Sequence, residues 1–263
     1  MNKIFIISDI GINANGSFEK AQTLIDRAIY AGVDAIKFQH WTDEYESICP
    51  WKEKLQGQRF TNGDLYRLRD YTYKTAKNNN RQVEWFCTAF DFESLEIIKS
   101  LDVNIFKIPN NKIVKNNLEL CNQIINSCII CNGRLIISTD YPDMGDFNNK
   151  LFCDIKGLDY KYNSIDISFL YCISKYPPKL EEIYLSDFKE FVQYKEENVL
   201  NIGISDHSSL IEIPIAAVAM GANVVEVHLT MNKNDIGLDH KASLEVHELK
   251  QMVDMIRNLE KCS

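Results

Sequence analysis

Short apolar runs rich in β-branched residues alternate along the 263-residue chain with longer stretches whose apolar positions recur at helical spacing. The runs fall at Lys3–Ser8, Ala35–Gln39, Val83–Thr88, Asn104–Ile108, Arg134–Ser138, Ile165–Cys172, Val199–Ile204 and Asn223–Val227. Helices are expected at about Phe18–Ala31, Gly63–Lys77, Phe92–Ser100, Asn117–Ser127, Asp146–Ile155, Glu181–Tyr194, Ser209–Met220 and Leu244–Lys261. Ser17 stands where the first helix wants an N-cap, and Gly32 where its end wants a left-handed residue. A long polar connection, Trp41–Thr61, precedes the second helix. Eight strand–helix units predict an α/β protein, a single-domain (β/α)8 TIM barrel. An open doubly wound sheet is the competing fold, but no Gly-x-Gly-x-x-Gly opens a helix.

In such a barrel the chemistry sits where the strands end. Here the ends are polar: Asp9; Lys37 and Gln39; Thr88; Lys107 and Asn110; Ser138; Ser174 and Tyr176; Ser205, Asp206 and His207; Glu226 and His228. Lys37 and Lys107 lie inside apolar runs, where a lysine without a partner is costly, so an anionic ligand is expected to face them. A Schiff-base role for one of them is a distinct reading. His207 and His228 end adjacent strands and are candidates to share a divalent metal, with Asp206, Glu226 and Asp239 as oxygen ligands or orienting groups. His40, His240 and His247 have weaker claims, and His247 is expected on a helix surface. Asn13-Ala14-Asn15-Gly16 reads as a turn at the barrel mouth or as a sugar-facing loop. Trp41, Tyr45 and Trp51 are expected to pack on the barrel rather than form a lid.

Composition narrows the class. The chain is 45% hydrophobic and 25% charged, with a net charge of −8, which argues against a nucleic-acid-binding face. No segment is apolar enough to span a membrane, and the apolar run before Ser8 is too short for a secretory signal, so a cytoplasmic protein is expected. The eight cysteines are irregularly spaced, which fits reduced thiols. The lone Cys128-x-x-Cys131 is read as structural, as are the acidic pairs Glu181-Glu182 and Glu196-Glu197 on solvated helix faces.

Seven segments occur in order: Ser8–Gly16, Asp34–Gln39, Phe106–Ile108, Leu170–Pro177, Gly203–Ser208, Val225–Thr230 and Leu238–Leu244. Together they resemble the sialic acid synthase (N-acetylneuraminate synthase) family. The resemblance implies condensation of phosphoenolpyruvate with an N-acetylated hexosamine, such as N-acetylmannosamine. The product would be a nine-carbon 2-keto sugar acid, with release of phosphate. It also implies a divalent cofactor, Mn²⁺ or Mg²⁺, bound by His207 and His228. Lys37 and Thr88 would meet the phosphoenolpyruvate carboxylate. Lys107, Asn110, Ser174 and Ser205 would surround its phosphate. Asp9, Gln39, Tyr176 and Asp239 would face the sugar. Glu226 or Asp9 would transfer protons.

The chain departs from the family pattern at Asp9, where a glutamate is usual, and at Ala14, where a histidine is usual. Asn110 replaces a serine, and Val227 replaces a basic residue. The sequence to Ser263 is expected to lack the family's C-terminal antifreeze-like domain, with the arginine it lends to a partner's sugar site. A homodimer is carried over from the family as an expectation. The alternatives are a metal-free lysine aldolase and a non-catalytic barrel that binds sugar or regulates a full-length synthase.

Overall fold

The computed structural model describes residues 3–140, 165–198 and 201–262. The helix expected at Asp146–Ile155 and the start of the seventh run, Val199-Leu200, lie outside them, as do the side chains of Glu196 and Glu197. The chain runs β1 (Phe5–Asp9), α1 (Phe18–Ala31), β2 (Ala35–His40), α2 (Asp43–Ile48), α3 (Lys52–Leu55), α4 (Asn62–Asn78), β3 (Glu84–Ala89) and α5 (Phe92–Ser100). It continues β4 (Ile105–Ile108), α6 (Lys112–Asn116), α7 (Leu118–Ile130), β5 (Arg134–Thr139), β6 (Asp166–Cys172) and α8 (Leu185–Asn198). The last elements are β7 (Asn201–Asp206), α9 (Glu212–Ala219), β8 (Val224–Thr230), the two-residue β9 (Leu244–Glu245) and α10 (Val246–Leu259).

Parallel ladders join the strands in the order β3-β2-β1-β8-β7-β6-β5-β4, and β4 lies against β3 across the remaining seam. Eight parallel strands thus form a nearly closed barrel, the predicted TIM architecture. The expected caps form. Ser17 Oγ accepts a hydrogen bond from Lys20 N at 3.2 Å, and Gly32 takes φ 102° at the end of α1.

The connection between β2 and α4 is not a plain polar loop. Trp41, Tyr45 and Cys49 recur every fourth residue, and with Leu55 and Ile12 they bury a small core of their own around α2 and α3. Trp41 and Tyr45 pack as expected, whereas Trp51 is 58% exposed.

Inside the barrel, side chains stack in layers. Ile7, Ala35, Phe86, Ile105, Ile136, Leu170 and Val224 form a dry apolar layer, one residue from each of seven strands. The eighth place belongs to Gly203, where a Cβ would come within 2.2 Å of Val224 O and 2.7 Å of Leu170 Cδ2. Below this layer, the Arg134 guanidinium lies 4.2 Å from the Phe5 ring centroid and pairs with Asp166 at 2.7 Å. Side chains in a strand alternate between faces, so the next inward residue on each strand lies directly above the apolar layer. Those residues are Asp9, Lys37, Thr88, Lys107, Ser138, Cys172, Ser205 and Glu226. The apolar layer thus serves as a rigid, waterless floor for a polar one.

Phe86→Ala would open a cavity in that floor. Equilibrium urea unfolding should show a loss of about 3–5 kcal/mol, and unchanged stability would contradict the layer arrangement.

Candidate active site

The polar layer is a network of buried charges. Lys37 Nζ lies 2.8 Å from Asp9 Oδ2 and 3.0 Å from Glu226 Oε1. Lys107 Nζ lies 3.0 Å from Glu226 Oε2 and donates to Ser138 Oγ at 2.8 Å. Ser205 Oγ donates to Glu226 Oε1 at 3.0 Å, and Gln39 Nε2 donates to Asp9 Oδ2 at 3.1 Å. Glu226, on β8, therefore bridges two ammonium groups contributed by β2 and β4, the strands on either side of β3. Two positive and two negative side chains balance in a space closed to water.

The titration behaviour follows from this geometry. Burial works against the charge on Lys37, but Asp9 and Glu226 outweigh it and hold the ammonium above its usual range. Lys107 is lowered, because burial and repulsion from Lys37 outweigh its single carboxylate partner. Burial alone would raise Glu226, yet Lys107 and Lys37 hold it far below the usual carboxylate range. Thr88 Oγ1 and Asp9 Oδ1 are buried without a hydrogen-bond partner. Buried polar atoms are rarely left so, and these two lie where a ligand would supply the partner.

Above the layer stand the two imidazoles. His207 and His228 have ring centroids 5.2 Å apart. His207 Nδ1 lies 2.9 Å from Ile173 O, a contact that, with Nδ1 as the donor, leaves Nε2 free as a ligand nitrogen. His228 Nδ1 lies 3.5 Å from Asp9 Oδ2 and 3.7 Å from Asp239 Oδ2. The spacing is compatible with nitrogen–metal bonds of about 2.1 Å from each ring. Among the described residues, no group of three or more His, Cys, Asp or Glu is arranged to hold a metal ion. The pair would need water or substrate oxygens to complete a coordination sphere. The Tyr176 ring stacks on His207 at 4.2 Å and meets His228 edge-on at 6.0 Å, with 46% of the residue exposed at the mouth.

Asp239 reaches the pair through a staple. Asn13 Nδ2 donates to Leu229 O at 2.9 Å and to Ser243 Oγ at 2.8 Å, and Ser243 Oγ donates to Asp239 O at 2.7 Å. Asn13 is buried, so the turn Asn13–Gly16 joins the β1 and β8 loops at this residue rather than presenting it to solvent. At the other side of the rim, Asn110 Nδ2 donates to Cys172 O at 3.1 Å, and the exposed Ser174 donates from Oγ to Asn110 O at 2.9 Å.

The structure thus brings Asp9, Lys37, Lys107, Ser205 and Glu226 into direct contact, with Thr88 in the same layer. Gln39, Asp239, His207, His228 and Tyr176 adjoin them, and Asn110 and Ser174 sit on the rim. Asp206 does not join this group. It alternates with Ser205 and His207 and so lies on the outer face of β7, where it accepts from Ser208 Oγ at 2.7 Å. Burial pushes its carboxyl up to about 6. His40 is separated from Gln39 in the same way, and burial lowers it to about 4. His240 is tied to Thr230 Oγ1 at 2.7 Å, and His247 is exposed on α10. Cys172 was not anticipated. It belongs to the polar layer beside Lys107 and Ser205, and counting two residues on from Leu170 would have found it.

The mouth of this TIM barrel thus pairs buried lysines with carboxylates below two imidazoles. The profile of the NeuB family matches residues 24–263. N,N'-diacetyllegionaminic acid synthase of Campylobacter jejuni is 32% identical over 274 residues, covering 99% of this chain and 78% of that one. Pseudaminic acid synthase of the same species is 31% identical, covering 98% and 74%. The crystal structure of N-acetylneuraminic acid synthetase from Leptospira borgpetersenii superposes with TM-score 0.81 at 27% identity, covering 99% and 85%. The chain belongs to the NeuB family.

Glu226→Gln would leave two buried ammonium groups without their shared counter-charge. Urea unfolding at pH 7 should register a loss of about 3–5 kcal/mol. The stabilisation due to Glu226 is present above the unfolded carboxylate value of about 4.3 and is lost as pH falls toward the lower folded value. Wild type should therefore lose part of its margin over the variant on the acid side. A margin that is zero at pH 7, or that grows on acidification, would contradict the bridge.

Proposed function

We propose that this protein condenses phosphoenolpyruvate with an N-acetylated amino sugar to give a nine-carbon nonulosonic acid and inorganic phosphate. The observation that carries the reading is the pair of buried lysines, Lys37 and Lys107, held apart by Glu226 beside the unpartnered hydroxyl of Thr88. A small molecule with an anionic group at each end suits two separated ammonium groups. The synthase names of the relatives, for legionaminic, pseudaminic and N-acetylneuraminic acids, support the substrate class.

In this reading Lys37 and Thr88 hold the carboxylate of phosphoenolpyruvate. Lys107 holds its phosphate with Ser205, Asn110 and Ser174. Gln39, Tyr176 and Asp239 orient the sugar, with Asp9 beneath it. A divalent ion, Mn²⁺ or Mg²⁺, held by His207 and His228, would polarise the sugar's aldehyde oxygen. Phosphoenolpyruvate C3 bonds to the aldehyde carbon, and water adds to C2. The C2–O bond to phosphate then breaks to leave the ketone. The two lysines neutralise the charge that gathers on carboxylate and phosphate, and the closed layer fixes their positions beforehand. Glu226 or Asp9 takes the proton that the added water gives up and passes it to the former aldehyde oxygen, which becomes a hydroxyl, and the proton of the new C2 hydroxyl leaves with the phosphate. The working form is proposed to be a cytoplasmic homodimer. Among the described residues no helix is long and apolar enough to cross a membrane.

Lys107 also supports a second reading, a Schiff-base aldolase, because its ammonium is lowered whereas Lys37 is held charged. Borohydride in the presence of pyruvate would trap an adduct at Lys107 in that case and none in the leading one.

Phosphate release from phosphoenolpyruvate should appear with at least one of N-acetylmannosamine and related N-acetylated hexoses in the presence of Mn²⁺. Chelation should abolish it, and His207→Ala should lower turnover by about 10²–10³-fold. Phosphate release with none of the sugars, or full activity in the variant, would contradict the proposal.

A further inference from the structure

We infer that His240 is a positioning residue, which anchors the loop after β8 to the turn after β1 and so holds the Asp239 carboxylate at the sugar. The inference rests on the reading above in which Asp239 orients the sugar. His240 is 1% exposed, although residues 234–237 of the same loop are exposed. Its two ring nitrogens reach two different elements. Nδ1 lies 2.7 Å from Thr230 Oγ1, at the end of β8, and Nε2 lies 3.4 Å from Asn15 Oδ1, in the turn after β1.

The surrounding hydrogen bonds decide which nitrogen carries the proton. Asn15 Nδ2 donates to Ile236 O at 3.3 Å, so Oδ1 is the atom turned to the ring, and it can only accept. Nε2 is therefore the donor. Nδ1 of the neutral ring accepts, and the Thr230 hydroxyl supplies the hydrogen. Gly237 makes room for this link, because a Cβ there would come within 2.5 Å of His240 Cδ2 and 3.4 Å of Asn15 Oδ1. His240 also opens the 3-10 turn His240–Ala242 that follows Asp239. Ala242 N donates to Asp239 O at 3.0 Å, and Ser243 N donates to His240 O at 3.3 Å. The turn that carries Asp239 is thus pinned at its first residue by the ring and at its far end by the Asn13–Ser243 staple. A shift of about 1 Å in a binding group can cost about 10²-fold, so an anchor of this kind has a functional readout. The sugar group at stake is a hydroxyl or an N-acetyl N–H, since a carboxylate accepts.

The test compares the full chain as wild type, His240→Ala, His240→Gln and Asn15→Gly, each with a thermal melt. Glycine replaces Asn15 because φ is 50° there, a conformation glycine adopts freely. Steady-state KM is measured for the N-acetylated hexose and for phosphoenolpyruvate with saturating Mn²⁺, and the tautomer of His240 is read from its ring-nitrogen chemical shifts. His240→Ala should raise the sugar KM by about tenfold or more and leave that for phosphoenolpyruvate unchanged. Asn15→Gly should act in the same direction, and His240→Gln, whose amide both donates and accepts, should recover part of the loss. The wild-type ring should carry its proton on Nε2. An unchanged sugar KM in a folded His240→Ala, or a proton on Nδ1, would overturn the inference while leaving the synthase reading intact. Equal rises in both KM values with a lowered melting temperature would also overturn it, by showing a general structural staple. If wild type releases phosphate with no N-acetylated hexose, the synthase reading fails and this inference with it.

Discussion

Glu226 is the constraint on which the rest of the site depends. Two lysines cannot be brought into the waterless mouth of a barrel unless something answers their charge. A carboxylate with one oxygen 3.0 Å from each ammonium answers both at once and fixes their separation. Asp9 supplies the fourth charge, so these four side chains are neutral in sum while the layer remains strongly polar within. Such an arrangement is preorganised. The donors stand in place before a ligand arrives, and little reorganisation accompanies binding.

The apolar layer beneath makes this arrangement tenable. Phe86, Ile136 and Leu170 exclude water from below and leave the charged groups no direction but the mouth. Gly203 lets β7 and β8 approach closely enough for Ser205 to reach Glu226. The imidazoles stand one position further out on the same strand faces, so every layer of the barrel has its own chemistry: apolar, then charged, then metal-binding in the proposed reading. The loops keep the outer layer in register. Asn13 ties the β1 turn to the β8 loop and thereby sets Asp239 beside His228.

Much of this was legible in the sequence. β-Branched runs mark strands because a barrel wall is buried on both faces, and each of the eight runs overlaps an observed strand, the seventh through its described part from Asn201 on. Lys37 and Lys107 stood out because lysine is foreign to an apolar run. Glu226 stood among the strand-end candidates, but its pairing with them was not legible, since Lys107 and Glu226 are 119 positions apart and only closure of the barrel brings them together. Cys172 was hidden by its own apolar character in an apolar run. Asp206 was read as an oxygen ligand or orienting group because proximity in sequence to Ser205 and His207 was read without the strict alternation of a strand, which turns it to the outer face. The segment Trp41–Thr61 concealed a helical face because its apolar residues, four apart, are outnumbered by polar ones.

A crystal structure of the protein with phosphoenolpyruvate tests the charged layer most directly. The account places the three-carbon ligand above the Phe86–Leu170 floor, with Lys37 Nζ within about 3 Å of its carboxylate and Lys107 Nζ within about 3 Å of its phosphate. Ligand density elsewhere on the barrel, with Glu226 still bridging two ammonium groups that touch no ligand atom, would contradict it.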